Sequence, residues 1–254
     1  MLILAADTSG KNGSIALLRF DSSAPQGLKP PPVSAISGTA ESRALPSSEK
    51  DNNVLRRDSE TLEVLPLEGG TFSAQLVPQI SALLTKHALS KSDIDAFAVV
   101  SGPGSFTGLR VGLAAIKAFA EILQKPIAAV SLLEVVARAA HIRGEVIAAL
   151  DAGRGEVFVG KYDIEKHSAR EELLTIFELQ SSAGDGPIVT PDRKLAEALS
   201  AVKVTVIPHL RADAVARLGY EKIRAGQTVT PEALDATYIR RSDAEIMRSN
   251  RVLR

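Results

Sequence analysis

The chain has 254 residues, is 45% hydrophobic, and carries 30 basic against 30 acidic side chains for a formal net charge of zero. That length holds one large domain or two small ones with a real core, and the balanced charge excludes a bulk field for nucleic acid or membrane. With no cysteine, no basic leader and no apolar run near the ~20 residues of a membrane span, disulfides and thiolate metal sites are excluded and a cytoplasmic protein is expected.

Leu2–Ala6 is apolar throughout and reads as a central strand. Asp7–Gly13 is a turn and Ser14–Phe20 the returning strand, which makes a hairpin with an acid at the end of its first arm. Asp21 to about Glu60 carries five prolines and a charged run, Glu49–Asp58, and reads as a flexible insertion. Leu62–Leu67 is a third strand. Thr71–His87 has Phe72, Leu76, Ile80, Leu83 and Leu84 on one helical face, and Pro78 should kink this helix or mark its start. Ala96–Val100 is a buried strand, and Leu109–Leu123 a helix. Ile127–Val130 (strand), Leu132–His141 (helix) and Val146–Leu150 (strand) follow. Glu156–Tyr162 is a strand; Ala212–Ala225 is a late helix; Ala236–Arg240 reads as a short strand-like piece before a basic tail.

Between strand and helix lies Ser101–Gly112, Ser-Gly-Pro-Gly-Ser-Phe-Thr-Gly-Leu-Arg-Val-Gly. Gly102 and Gly104 permit positive φ or close backbone approach, and Ser105 or Thr107 can cap the helix. Such a turn can hold an anion at the helix start, or it can simply be a well-capped turn. It is not a Walker A loop, and Gly102, Gly104 and Gly108 are spaced one residue too widely for a dinucleotide fingerprint. Gly108, Gly112 and Ala115 form a small-residue stripe that admits another helix at close range.

The pattern strand, Asp, glycine turn, strand occurs twice, at Leu4–Leu17 around Asp7 and at Ala148–Val159 around Asp151, which points to an internal duplication. Two acids so placed can face one cleft and hold Mg²⁺ through water, or each can cap its own turn by an Asx-type bond. His87, His141, His167 and His209 show no metal-ligand spacing, and Ser105 sits in no nucleophile elbow.

Leu2–Ser9, the loop Gly102–Gly112, Ala149–Ala152 with Gly155–Phe158, and Tyr238-Ile239-Arg240 occur in this order. Together they resemble the bacterial TsaB (YeaZ) family over nearly the whole chain outside Asp21–Glu60. The resemblance implies the actin-like ATPase fold of Hsp70, actin and sugar kinases: α/β, two duplicated ribonuclease-H-like subdomains with mixed sheets flanked by helices. The expected division is 1–103 and 104–254, with the 107–123 helix packing back on the first part and the last segment crossing back. It implies a non-catalytic scaffold in the making of N6-threonylcarbamoyladenosine at position 37 of tRNAs that read A-starting codons. The partners implied are the transferase TsaD and the ATPase TsaE, with a homodimer in isolation and tRNA met only through the complex. It further implies a nucleotide or phosphate-loop remnant at Asp7, Thr8, Ser9, Gly102, Gly104, Ser105 and Asp151, with no cofactor held independently and ATP or ADP only at the junction with TsaD. The implied partner face is Leu76, Ile80, Thr107, Gly108, Arg110, Val111, Gly112 and Ala115.

TsaD carries a His-x-x-x-His metal site on the helix after the Ile127–Val130 strand. The matching positions here are Leu132 and Val136, whose side chains cannot ligate iron or zinc. Two departures stand out: the long Asp21–Glu60 insertion, and Thr71-Phe72-Ser73 where a His-Ser pair often opens the first helix. The alternative function is an independent nucleotide-binding enzyme of the superfamily, a small-molecule kinase or peptidase.

Overall fold

In the computed structural model, the described residues are 1–21, 59–166, 168–184 and 186–239. The insertion between Asp21 and Ser59, His167, and the basic tail from Arg240 lie outside them.

The first sheet is built from β1 (Leu2–Asp7), β2 (Gly13–Phe20), β3 (Ser59–Leu67), β4 (Ala96–Gly102) and β5 (Ile127–Ser131), in the order β3-β2-β1-β4-β5. β1 runs antiparallel to β2 and β2 to β3, whereas β4 and β5 run parallel to β1. β1 and β4 are buried along their whole length, the polar Asp7 and Ser101 near their ends included, as largely apolar strands at a sheet centre are.

Helices α1 (Phe72–Lys86) and α2 (Phe106–Leu123) join these strands. α1 starts well before Pro78 and continues through it. The ring sits on the exposed side, so Pro78 does not mark the helix start. The late helix α6 (Ala212–Arg224) returns to the same sheet. Phe97 faces Phe119 of α2 with ring centroids 6.2 Å apart, while its neighbour Ala98 lies against Gly219 of α6. Successive strand residues point to opposite faces, so α2 and α6 cover the two sides of the sheet. Tyr220 of α6 stacks on Phe20 at 4.1 Å and 7°.

The second sheet comprises β6 (Glu145–Gly153), β7 (Glu156–Asp163), β8 (Ser168–Thr175), β9 (Ile188–Thr190) and β10 (Val204–Val206), in the order β10-β9-β6-β7-β8. Its pairings repeat the first sheet: β6 antiparallel to β7, β7 to β8, and β9 and β10 parallel to β6. The duplication read from two short motifs therefore extends to the full topology of both sheets, and the fold is the duplicated actin-like, ribonuclease-H-like α/β architecture. Helices α3 (Leu132–Ala139), α4 (Ile176–Ser182) and α5 (Arg193–Ala198) serve the second half.

The division at 103/104 does not coincide with a sheet boundary. β5 completes the first sheet and α2 packs on β4, so the first half extends to Ser131. Of the strand-like piece expected at Ala236–Arg240, the described residues, 236–239, form no strand, and Arg240 lies outside the described residues. Those residues form an extended strap fixed by a hydrogen bond from the Thr237 N–H to Ser101 O (2.7 Å), with Leu234 buried beneath.

Candidate functional site

The site is built where β1, β4, α1 and α2 meet. Asp7 ends β1, and the turn after it is covered: Thr8 and Ser9 are buried. Asp7 Oδ1 accepts from the Ser9 N–H (2.9 Å) and the Ser9 hydroxyl (2.5 Å), an Asx-type turn. Burial pushes the Asp7 carboxyl above its ordinary value, against a lowering pull from the Ser9 hydrogen bonds and the charge of His209.

The glycine loop lies directly on this turn. Ser105 caps α2, its hydroxyl accepting from the Gly108 N–H, while its own N–H donates to Ser9 O. The Thr8 hydroxyl donates to Gly108 O at 2.7 Å. A Cβ on Gly104 would overlap Ser9, one on Gly108 would overlap Thr8 O, and one on Gly112 would overlap the Thr8 hydroxyl. These glycines are there so that the chain's own hairpin turn can dock on the helix. Gly102, at φ +151°, leaves room for Thr237 of the strap.

This corrects part of the expected partner face. Gly108 and Gly112 are buried against Thr8, so the small stripe receives a turn of the same molecule and not another helix. Leu76 and Ile80 are almost fully buried and hold α1 to its own sheet. Ala115 and Val111 are partly buried against that core, whereas Thr107 and Arg110 are exposed.

The face that α1 and α2 do present consists of other residues. Val77 is 50%, Phe106 44% and Ile122 78% exposed, with Ala114 and Ala118 exposed between them on α2. Arg110 lies 3.8 Å over the Phe106 ring and donates from Nε to the Tyr238 hydroxyl (3.1 Å); the Phe106 and Tyr238 rings are 5.2 Å apart. Beside this face opens a cavity of about 610 Å³, lined by Gly10, Lys11, Gly69, Ser73, Ser105 and Thr107 among others.

Asp151 repeats only the local half of the arrangement. Its Oδ1 accepts from the Gly153 N–H (2.8 Å), but the side chain is exposed, and the turn is touched only at its far end, where Gly155 O accepts from the Ile176 N–H of α4 (3.3 Å). In both halves the acid caps its own turn. Of the histidines, His87 bonds Glu63 at 2.9 Å, and His209 is exposed beside a cavity of about 520 Å³ between α3 and α6.

Leu132 packs on the first core and Val136 is fully buried in the second. Periodicity gave no sign of the polar seam near them. The Tyr162 hydroxyl of β7 donates to Glu171 Oε1 (2.5 Å), and Ser131, at the end of the first sheet, donates to the same oxygen. Burial, then the Glu171 carboxylate, push the phenol up, so it remains a donor. Arg138 and Lys222 complete the seam, joining Glu134 on α3 to α6 through Arg138 Nη1–Glu221 (3.2 Å) and Lys222–Glu134 (3.0 Å). The only cue in the sequence was the pair of charges on each helix, which most often signals a solvated face.

Two repeated five-stranded sheets give the fold, and the comparisons give the family. Residues 68–209 match the family model for TsaD, tRNA N6-adenosine threonylcarbamoyltransferase. That is more than half of the chain, and the chain belongs to this family. It is 34% identical over 122 residues to the tRNA threonylcarbamoyladenosine biosynthesis protein TsaB of Bacillus subtilis, covering 48% of this chain and 53% of that one. It is likewise 34% identical over 108 residues to TsaB of Escherichia coli K12, covering 41% and 46%. The chain thus spans about half the length of the curated relatives it matches. The solved structure of YeaZ from Pseudomonas aeruginosa superposes with a TM-score of 0.64 at 22% identity, covering 93% of this chain and 100% of that one. A second structure, described as similar to peptidase YeaZ from the same organism, gives 0.63 at 25% identity, covering 94% and 99%. The relatives therefore carry the names TsaB and YeaZ.

Proposed function

We propose that this chain acts in threonylcarbamoyladenosine biosynthesis on tRNA as a non-catalytic subunit. In this reading it binds the TsaD transferase through the exposed face of α1 and α2 and supports its activity, with TsaE as a further partner and tRNA engaged only by the assembly. The TsaB names of its relatives supply the pathway. The observation that carries the scaffold role is the exposure of large apolar side chains on both rigid helices, Val77 on α1 and Phe106 and Ile122 toward the two ends of α2. Leu132 and Val136 support the non-catalytic half of the reading, since both side chains are apolar where the paralogue has histidines. The cavity at Lys11 and Ser105 adjoins the same face, and we assign ATP or ADP to that junction and not to the isolated chain. The working compartment is the cytoplasm.

The test is co-purification with the TsaD of the same source, followed by tRNA modification in vitro with and without this chain. No turnover by this chain alone and loss of turnover on its omission are expected. Unchanged turnover without it, or a complex that survives Ala114→Arg on α2, would overturn the reading. The exposed position of Ala114 makes that variant a probe of pairing and not of folding.

A further inference from the structure

Among the described residues, the chain crosses between its two halves twice. α3 leads from β5 of the first sheet to β6 of the second, and residues 207–211 lead from β10 back to α6, which lies on the first sheet. Both crossings line the same space, the cavity of about 520 Å³ between α3 and α6. Small-molecule sites commonly have this size. None of the lining residues belongs to the Asp7 turn, the Asp151 turn or the glycine loop.

The second crossing is pinned at its ends. The Ile207 N–H donates to Thr190 O of β9 (3.0 Å), and the Ala212 N–H to the Ser14 hydroxyl of β2 (2.9 Å). Between these pins, residues 208–210 make no backbone–backbone hydrogen bond among the described residues, so this stretch can give when the halves turn. The first crossing is a wedge: Val135 of α3 belongs to the core of the first half, Leu133 and Val136 to that of the second.

The lining divides by chemistry. Val135, Ile207 and Leu218 are buried, with Leu210 and Ala214 partly buried, and together they make an apolar floor. The charged side chains are Arg138, Arg211 and Arg217 against Asp213 and Glu221. Arg138 is committed to Glu134 and Glu221, and Arg217 to Ser59 and Thr61. Arg211 is exposed and makes a loose ion pair, 3.8 Å from its Nε to Asp213. His141 and His209 are exposed, and among the described residues neither imidazole has a hydrogen bond or an ion pair. An apolar floor under such a rim of donors suits an anionic head on an apolar body.

We propose that the cavity between α3 and α6 binds a small ligand with an apolar body and one phosphate or carboxylate group, the anion held by Arg211, His141 and His209. A ligand seated there touches both crossings and fixes the angle between the two halves.

Calorimetry on the full chain with phenyl phosphate, benzoate, inorganic phosphate and phenol is the first test. Phenyl phosphate or benzoate should bind at least about ten-fold more tightly than inorganic phosphate or phenol, each of which has only half of the recognised chemistry. The tighter of the two aromatic acids tells whether the anion is a phosphate or a carboxylate. Arg211→Glu should weaken that binding about ten-fold and His209→Ala about two- to three-fold. Ala214→Phe should fill the cavity and abolish binding; should it also unfold the chain, Arg211→Gln gives the same direction at smaller size. No binding of either aromatic acid at about 10 mM, binding no tighter than that of inorganic phosphate, or affinity unchanged by the Arg211 variants would overturn the proposal.

The hinge is read separately. The chain has no cysteine, so Lys91→Cys in the first half and Phe177→Cys on α4, both exposed, accept a pair of dyes at defined places. Single-molecule energy transfer between them should narrow or shift when the tighter aromatic acid is bound. A distribution that the bound ligand leaves unchanged would overturn the coupling to the halves. The transferase enters none of these measurements, so their failure and the failure of the scaffold reading are distinguishable.

Discussion

Asp7 and Asp151 open the same local device in the two halves of the molecule, and the halves use it differently. Each carboxylate accepts the N–H two residues on, at 2.9 Å in the first half and 2.8 Å in the second. In the first, the turn is sealed under the glycine loop and the start of α2. In the second, Gly153 and Gly155 sit at φ +72° and +78° with nothing around the place of a Cβ. The backbone motif is therefore inherited and the cover is not. What distinguishes the halves is an 18-residue helix with glycines at its start, whereas the corresponding helix before β10, α5, has 6 residues.

That contrast can be broken most severely at Gly108. Gly108→Val forces a side chain into Thr8 O and should cost about 3 kcal/mol or more in urea unfolding. In the open half, Gly153→Ala meets no atom and bears only its left-handed backbone, so about 1 kcal/mol is expected. Equal costs at the two sites would show that the cover contributes nothing.

Thr8→Val keeps the shape but leaves the buried Gly108 carbonyl without the hydroxyl it accepts from. A loss of about 1–2 kcal/mol, measured by the same unfolding, is expected.

Asp7→Asn sharpens the contrast in the opposite direction. Burial raises the Asp7 pKa in the folded state above the ordinary 3.8, so its ionised form costs stability at neutral pH. That cost is present above the folded pKa and disappears as the pH falls below the unfolded value. Asn keeps an acceptor for Ser9, so Asp7→Asn should stabilise the chain by about 1 kcal/mol at pH 7 and lose that advantage in acid. Asp151→Asn, at an exposed turn where the amide oxygen can still accept from the Gly153 N–H, should leave the melting temperature at pH 7 within error. A destabilised Asp7→Asn at pH 7 would mean that the carboxylate is held by a contact stronger than its desolvation.

Most strands were legible because their chemistry is local. Leu2–Ala6 and Ala96–Val100 are apolar without interruption, as only central strands can be, and Asp-turn-strand signals marked both hairpins. The capping role of Ser105 was legible for the same reason. The partner face was misread where one helix has two possible neighbours. Gly108 and Gly112 announce a close approach, but spacing does not say whether the approaching backbone belongs to another protein or to Thr8. Leu76 and Ile80 announce a buried face and lie in the chain's own core. Tyr238, far in sequence from Phe106 and Arg110, gave no joint signal with them before the strap brought it into contact.

By itself, the sequence determined the repeated strand–acid–turn–strand units and the helices between them, since these follow from periodicity and turn chemistry. Only the tertiary structure decided that β5 and α6 belong to the first sheet, that the glycine stripe is consumed by the molecule's own hairpin, and that α2 shows Arg110, Ala114, Ala118 and Glu121 to the outside. Those outcomes depend on which surfaces of the chain compete for the same neighbour, and that competition is settled by packing between segments a hundred residues apart.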